Sequence, residues 1–243
     1  MIEFKSKLIA FPEVITYLKN NLQLKGLCSQ ILQQKIINQA AADRNIQITP
    51  EEIQIEAEKL RYEKRLFKAS DTLGWLADNL ISSDEWEAGI RNHLLSKRLA
   101  EHLFGKEVER YFWENKLNYD QVVLYQIILP EQNSAQEIYY QIEEGELSFY
   151  EAAHLYDVDE TRRNRCGYEG KLYRWSFEPD VAAIIFNAQP KELLVPMRVN
   201  HSSCIFMVED FISATLTPEI YQEILHKMFQ EWLLAELNYM LYA

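Results

Sequence analysis

Glycine is scarce here, with seven in 243 residues, and neither a P-loop nor a GxGxxG or GxSxG pattern occurs. Phosphate cradles, dinucleotide turns and the strand-to-helix serine elbow are therefore excluded. Cysteine is as sparse: Cys28, Cys166 and Cys204 lie far apart, with no CxxC. That excludes a disulfide scaffold, and the odd number suits a reducing compartment. The five histidines, His93, His102, His154, His201 and His226, form no HxxxH, so surface or core roles outweigh zinc. "DVDETR" from Asp157 opens like a calcium loop, but Arg162 holds the glycine position and Tyr168 the position of the last glutamate. Neither a metal nor a cofactor is expected.

Positive charge is also short. Twenty-five basic residues against 37 acidic ones leave −12, with a pI near 5.0. A nucleic-acid partner would need a basic face, and an anionic membrane surface is weakly disfavoured too. Long apolar runs are missing, so no membrane span is expected. The run Leu8 to Phe11, preceded by Lys5 and Lys7, stops at Pro12 and is too short for an export signal. Cytoplasm is the expected location.

What is present suffices for a packed core: 48% hydrophobic and 12% aromatic residues, enough for one large domain or two ordinary ones. The first half reads as helix after helix. Cys28, Ile31, Leu32, Lys35 and Ile36 trace a helical stripe. At "ITPEE", Thr49 caps, Pro50 opens the helix and Glu52 completes a capping box, with the helix expected to run to about Lys68. Ser82 and Glu85 repeat the device, Gly105 reads as that helix's stop, and a shorter helix, "KEVERYFWEN", follows.

At "QVVLYQIILP" the period changes to that of a strand, with polar Gln126 in its middle. Two helices follow, around Ile138–Ile142 and Phe149–Leu155. Next come a charged loop, a short strand at Lys171 to Trp175, a brief helix in "EPDVAAIIFNAQP", and a hairpin of "LLVPMRV" and "CIFMVEDF" around "NHSS". From Thr217 a long amphipathic helix returns, with Ile220, Ile224, Met228, Trp232 and Leu237 down one side. A small sheet domain could not cover that face, so the first-half helices are its expected partner.

These segments, in this order, resemble parvulin-type peptidyl-prolyl isomerases. "VVLYQIIL" is similar to their first strand, "IEEGELSFYEAAHLYDVD" to their helix pair and "EGKLYRW" to their glycine-rich turn. "FEPDVAAIIF" and "VPMRVNHSSCIFMVED" are similar to their last helix and hairpin. The preceding helices resemble the N-terminal region of SurA/PrsA-type chaperones. The resemblance implies an α+β fold: a helical domain over 1–118, completed by the helix 217–243, with a parvulin-like domain inserted at 119–212.

It also implies a site. The family's two histidines align with Gln126 and Cys204, both replaced, while Asp159 falls where the family has Cys or Asp. Leu172, Phe177 and Val181 match pocket positions, and Phe186 is expected beside them. The expected activity is proline isomerisation in unfolded or secreted polypeptide clients, weakened by the lost histidines. The alternative is a non-catalytic chaperone or peptide-binding adaptor. A closed pocket beside Asp159 would favour the enzyme, and a groove lined by Tyr and Trp around the helical body would favour the binder. The oligomeric state cannot be read from the sequence.

Overall fold

The computed structural model describes residues 1–4 and 7–242, so Lys5, and Ala243 at the end of the expected last helix, lie outside it. The chain divides into two compact units, Met1–Arg110 with Pro218–Ala243, and Tyr111–Thr217. No helix among the described residues is long and apolar enough to cross a membrane.

The helical unit opens on a feature the helical reading misses: strands β1 (Ile2–Phe4) and β2 (Lys7–Ile9) pair antiparallel. Helices α1 (Phe11–Asn20), α2 (Leu24–Asp43), α3 (Pro50–Glu63) and α4 (Ala69–Asp78) follow. Both capping boxes form. Glu52 N donates to Thr49 Oγ1 at 3.3 Å while Glu52 returns a carboxylate to Thr49 N at 2.9 Å; Ser82 and Glu85 make the same exchange at 3.2 and 2.7 Å. Each such cap stabilises its helix by about 1 kcal/mol.

Helix α3 stops at Glu63 rather than near Lys68. Arg65 turns left-handed at φ 58°, and Leu66 N closes the end by donating to Arg61 O at 2.8 Å. Tyr62 then meets Phe67 edge-on.

Gly105 does not end a helix. Helix α5 runs from Ser83 to Glu114, absorbing the separate helix expected after that glycine. The glycine serves a close approach instead: a Cβ there would lie 2.5 Å from a Glu101 carboxylate oxygen and 3.1 Å from the Tyr221 hydroxyl.

The stripes are displaced from their expected positions. In α2 the buried residues are Ile36, Ile37, Ala40 and Ala41, while Cys28 and Ile31 are exposed. The last helix of the chain spans Pro218–Tyr242 and packs against α2. Its buried row is Ile224, Leu225, Phe229, Leu233 and Leu237, and Ile220, Met228 and Trp232 flank it half-buried. A helical face is wide, and its centre is set by what it packs on.

The second unit holds helix α6 (Lys116–Tyr119), strand β3 (Gln121–Leu129), helices α7 (Gln132–Glu143), α8 (Phe149–Tyr156) and α9 (Glu160–Asn164), and strand β4 (Tyr168–Tyr173). Helix α10 (Pro179–Ile185) and strands β5 (Met197–Val199) and β6 (Ser202–Ile212) complete it, which makes the Pro218–Tyr242 helix α11. The sheet order is β4-β3-β6-β5, every pair antiparallel. The architecture is α+β, an antiparallel sheet domain set between helical segments.

Two boundaries move. β4 starts at Tyr168 and ends at Tyr173, with Arg174–Ser176 forming a 3-10 turn. The hairpin turn is two residues, Asn200 and His201, because Val199 already pairs with Ser202, and Asn200 takes φ 55°. Asparagine tolerates that left-handed region better than most residues.

Side chains alternate across β3. Val122 and Leu124 join Val181, Ile185, Cys204, Phe206 and Val208 on one face of the sheet. Ile127 and Leu129 meet Ala135, Ile138, Phe149 and Ile205 on the other, under α7 and α8.

Candidate active site

Gln126 has the parity of Val122 and Leu124, so it points to the α10 side of the sheet. There a cleft of about 530 Å³ opens, walled by Leu172 of β4, Phe177, Val181 of α10 and Phe206 of β6. Phe177 stands edge-on to Phe206, centroids 6.5 Å apart at 87°. Phe186 does not line the cleft; it backs Phe177 at 6.4 Å and carries the Arg174 guanidinium over its ring at 4.3 Å. The polar lining includes Gln126, Glu169, Glu178 and Asn200, with no lysine or arginine.

The two positions aligned with the family histidines do meet. Gln126 Nε2 donates to Cys204 Sγ at 3.4 Å. Burial pushes the Cys204 thiol up, against a smaller opposing pull from the Gln126 hydrogen bond. A buried, protonated thiol is a poor nucleophile, so covalent chemistry is not what this pair offers. His201 stands exposed at the hairpin turn.

Asp159 is not on the cleft. Its carboxylate caps α9 by accepting Arg162 N at 2.8 Å, and it lines a neighbouring surface depression with Arg162, Arg165, Tyr168 and Glu169. The buried carboxylate is Asp157, at 0% exposure. Asp157 accepts Ile128 N at 3.0 Å, Asp159 N at 2.7 Å and Arg162 Nε at 3.0 Å. From its other end, Arg162 Nη1 donates to Glu169 Oε1 at 2.9 Å. Glu169 lines both depressions, so this chain of charges leads from the core to the cleft.

Local folding explains the placement. Gly167, at φ 85°, lets β4 approach β3: Gln126 N donates to Gly167 O at 2.8 Å, and a Cβ there would meet Gln126 O at 2.9 Å and Ala153 Cβ at 3.0 Å. The register slips between Leu124 and Tyr125 at this point. A bulge of this kind re-aims the side chains beside it.

Of the seven expected residues, Gln126, Leu172, Phe177 and Val181 line one cleft, Cys204 contacts Gln126, Phe186 backs Phe177, and Asp159 stands apart. Sequence reasoning missed Glu169, Glu178, Phe206, Asp157 and Arg162. For Asp157 a signal existed: an acid directly after α8, two residues before Asp159.

No protein-family model matches the chain. Over 218 residues it is 23% identical to the foldase protein PrsA of Halalkalibacterium halodurans, covering 86% of this chain and 64% of that one. Over 220 residues it is 21% identical to the foldase protein PrsA of Caldanaerobacter subterraneus subsp. tengcongensis, covering 85% and 66%. The chain thus spans about two thirds of the length of these relatives. Its fold is similar to that of a peptidylprolyl isomerase, PrsA, from Bacillus cereus, with a TM-score of 0.52 and 14% identity over 100% of this chain and 92% of that one. The likeness is one of fold, a PrsA-like α+β architecture.

Proposed function

We propose that the chain is a foldase: a peptidyl-prolyl cis-trans isomerase of weak turnover that binds proline-containing unfolded or secreted polypeptides. The observation that carries this reading is the cleft itself, where Leu172, Phe177, Val181 and Phe206 form an apolar slot next to the Gln126 amide.

Rotation about an Xaa-Pro bond must overcome amide resonance, a barrier of about 18–20 kcal/mol. No covalent bond need form. An apolar slot holds the ring, and polar groups that favour the twisted amide over the planar one accelerate the step. Every 1.36 kcal/mol of such preference is worth about tenfold in rate. Phe177, edge-on to Phe206, is the wall we assign to the proline ring. Gln126 donates and accepts in place of a histidine. With Asp159 off the cleft, the carboxylate we assign to act by charge at the twisting amide is Glu169, which lines the cleft and is fixed by Arg162.

A second reading, a non-catalytic peptide binder, draws support from one contact: Gln126 and Cys204 are turned toward each other. An amide occupied in this way has less to offer a twisting peptide bond. A reducing, cytoplasmic setting is proposed from the three free cysteines.

The test is isomerisation of short Xaa-Pro peptides followed by NMR exchange. Phe177→Ala should weaken peptide binding, and Gln126→His with Cys204→His should raise the rate. If wild type and the double variant both run at the uncatalysed rate while unfolded clients still bind, the binder reading replaces the enzyme.

A further inference from the structure

We propose that a groove in the helical unit, between α3, α4 and α5, docks an amphipathic helical segment of a partner polypeptide and reads a carboxylate on it through Arg61 and Arg91. This is a different site from the isomerase cleft and does not rest on the isomerase reading.

The groove encloses about 450 Å³, within the range of ordinary ligand sites. Its floor is apolar: Ile53 and Ala57 of α3 and Leu76 of α4 are buried. Trp86 of α5 and Leu73 of α4 also line it, and Leu73 is 61% exposed. Along α3 the lining residues Pro50, Ile53, Ala57 and Arg61 follow one helical face. The eleven steps from Pro50 to Arg61 rise about 16 Å, or three turns, so the slot has the length of a short helix. Three helices with an open channel between them present what a fourth would cover, and an apolar face with anchors at helical spacing is the matching shape.

Charge selects the occupant. The chain carries −12, yet the charged residues lining this groove are Arg61, Arg91 and the single acid Glu87. Among the described residues neither arginine is paired with a carboxylate. Among the described residues the buried Arg61 Nε–H has no acceptor. A guanidinium binds a carboxylate through a two-pronged fork, so two arginines without a carboxylate partner in the lining of an apolar groove favour an acidic residue on the occupant. A nucleic-acid phosphate suits the site poorly, because the floor is apolar and the surrounding chain is acidic. An acidic residue on an apolar helix satisfies both the floor and the arginines.

The experiment uses the full chain and two helical probe peptides of about 15 residues, long enough to hold some helix. Both carry leucine at i, i+3, i+4 and i+7; one has Glu and the other Lys at the flanking position. Fluorescence anisotropy should give at least about tenfold tighter binding for the Glu peptide. Arg61→Gln with Arg91→Gln should abolish that preference, while isomerisation of a short Xaa-Pro peptide stays unchanged. NMR shifts induced by the Glu peptide should centre on the Trp86 indole and the Arg61 Nε–H. The proposal is overturned if the two peptides bind alike, if the preference survives the double variant, or if the shifts fall on the isomerase cleft. It is also overturned if sedimentation shows a self-associated wild type that the double variant returns to monomer, since the occupant is then a second copy of this chain. Failure of the isomerisation assay alone leaves this inference standing, and loss of the Glu preference alone leaves the enzyme reading standing.

Discussion

Arg162 Nε lies 3.0 Å from Asp157 Oδ2, with the Asp157 side chain fully buried and that of Arg162 only 15% exposed. The pair ties the loop after α8 to strand β3, because the same carboxylate oxygen accepts Ile128 N. Removing one partner of a buried pair leaves the other charge uncompensated, a loss of roughly 3–5 kcal/mol. Arg162→Met is expected to cost that much in urea denaturation. Asp157→Asn should cost less, since an amide oxygen still accepts Ile128 N and Arg162 keeps Glu169. Equal midpoints for both variants and wild type would show that the pair contributes nothing.

The cleft has two carboxylates, Glu169 and Glu178, and no cation in its lining. Glu169 is engaged by Arg162, which leaves exposed Glu178 as the group that would meet the flanks of a peptide bound as proposed. Peptides with Arg before proline should bind more tightly than those with Glu, by up to about tenfold at low salt, where surface charge is least screened. Glu178→Lys should reverse the order. An affinity series that ignores flanking charge, in wild type and variant alike, would refute this assignment.

Tyr221 donates to Glu101 Oε1 at 2.7 Å, and this bond, with partial burial, pushes its hydroxyl up to about 12. A tyrosine raised in the folded state contributes stability that is complete below its unfolded value of about 10 and disappears as pH rises toward 12. Thermal melts of the full chain should therefore decline across that window. Tyr221→Phe should flatten the decline and cost about 0.5–1.5 kcal/mol at neutral pH. If wild type and Tyr221→Phe decline in parallel, the alkaline loss comes from elsewhere.

Deleting Pro218–Ala243 should uncover the α2 residues Ile36, Ile37, Ala40 and Ala41 and remove five buried side chains of α11. Each large apolar side chain contributes about 1.5–3 kcal/mol when buried, so the helical unit should unfold. The unit Tyr111–Thr217 should keep a separate cooperative transition. A truncated chain whose helices melt at the wild-type temperature would contradict this packing.

Features written in local chemistry were legible in the sequence. The capping boxes at Thr49 and Ser82 need only residues three apart, and the β-branched run of β3 needs only its own alternation. Gly105 was misread because the same residue that ends a helix also permits another helix to come close, and only the position of Tyr221 decides between them. The α2 and α11 stripes were displaced for the same reason, since the buried centre of an apolar face is chosen by its neighbour. At the site, the residues of the apolar slot were legible through the resemblance. The carboxylates were not: Asp157 and Asp159 are chemically identical and two residues apart. Which one is buried depends on Ile128, twenty-nine residues earlier, and on the reach of Arg162.

The helical unit is discontinuous, closed by the last stretch of the chain. During synthesis α2 is complete at Asp43, but its partner α11 is not finished until Tyr242. At about 5–20 residues per second, the interval is about 10–40 s. The sheet unit, contiguous from Tyr111 to Thr217, is synthesised whole within that interval. Until α11 arrives, α2 lacks the helix it packs against. The time taken to synthesise everything between α2 and the end of α11 thus sets how long this protein, proposed to attend unfinished chains, is itself one.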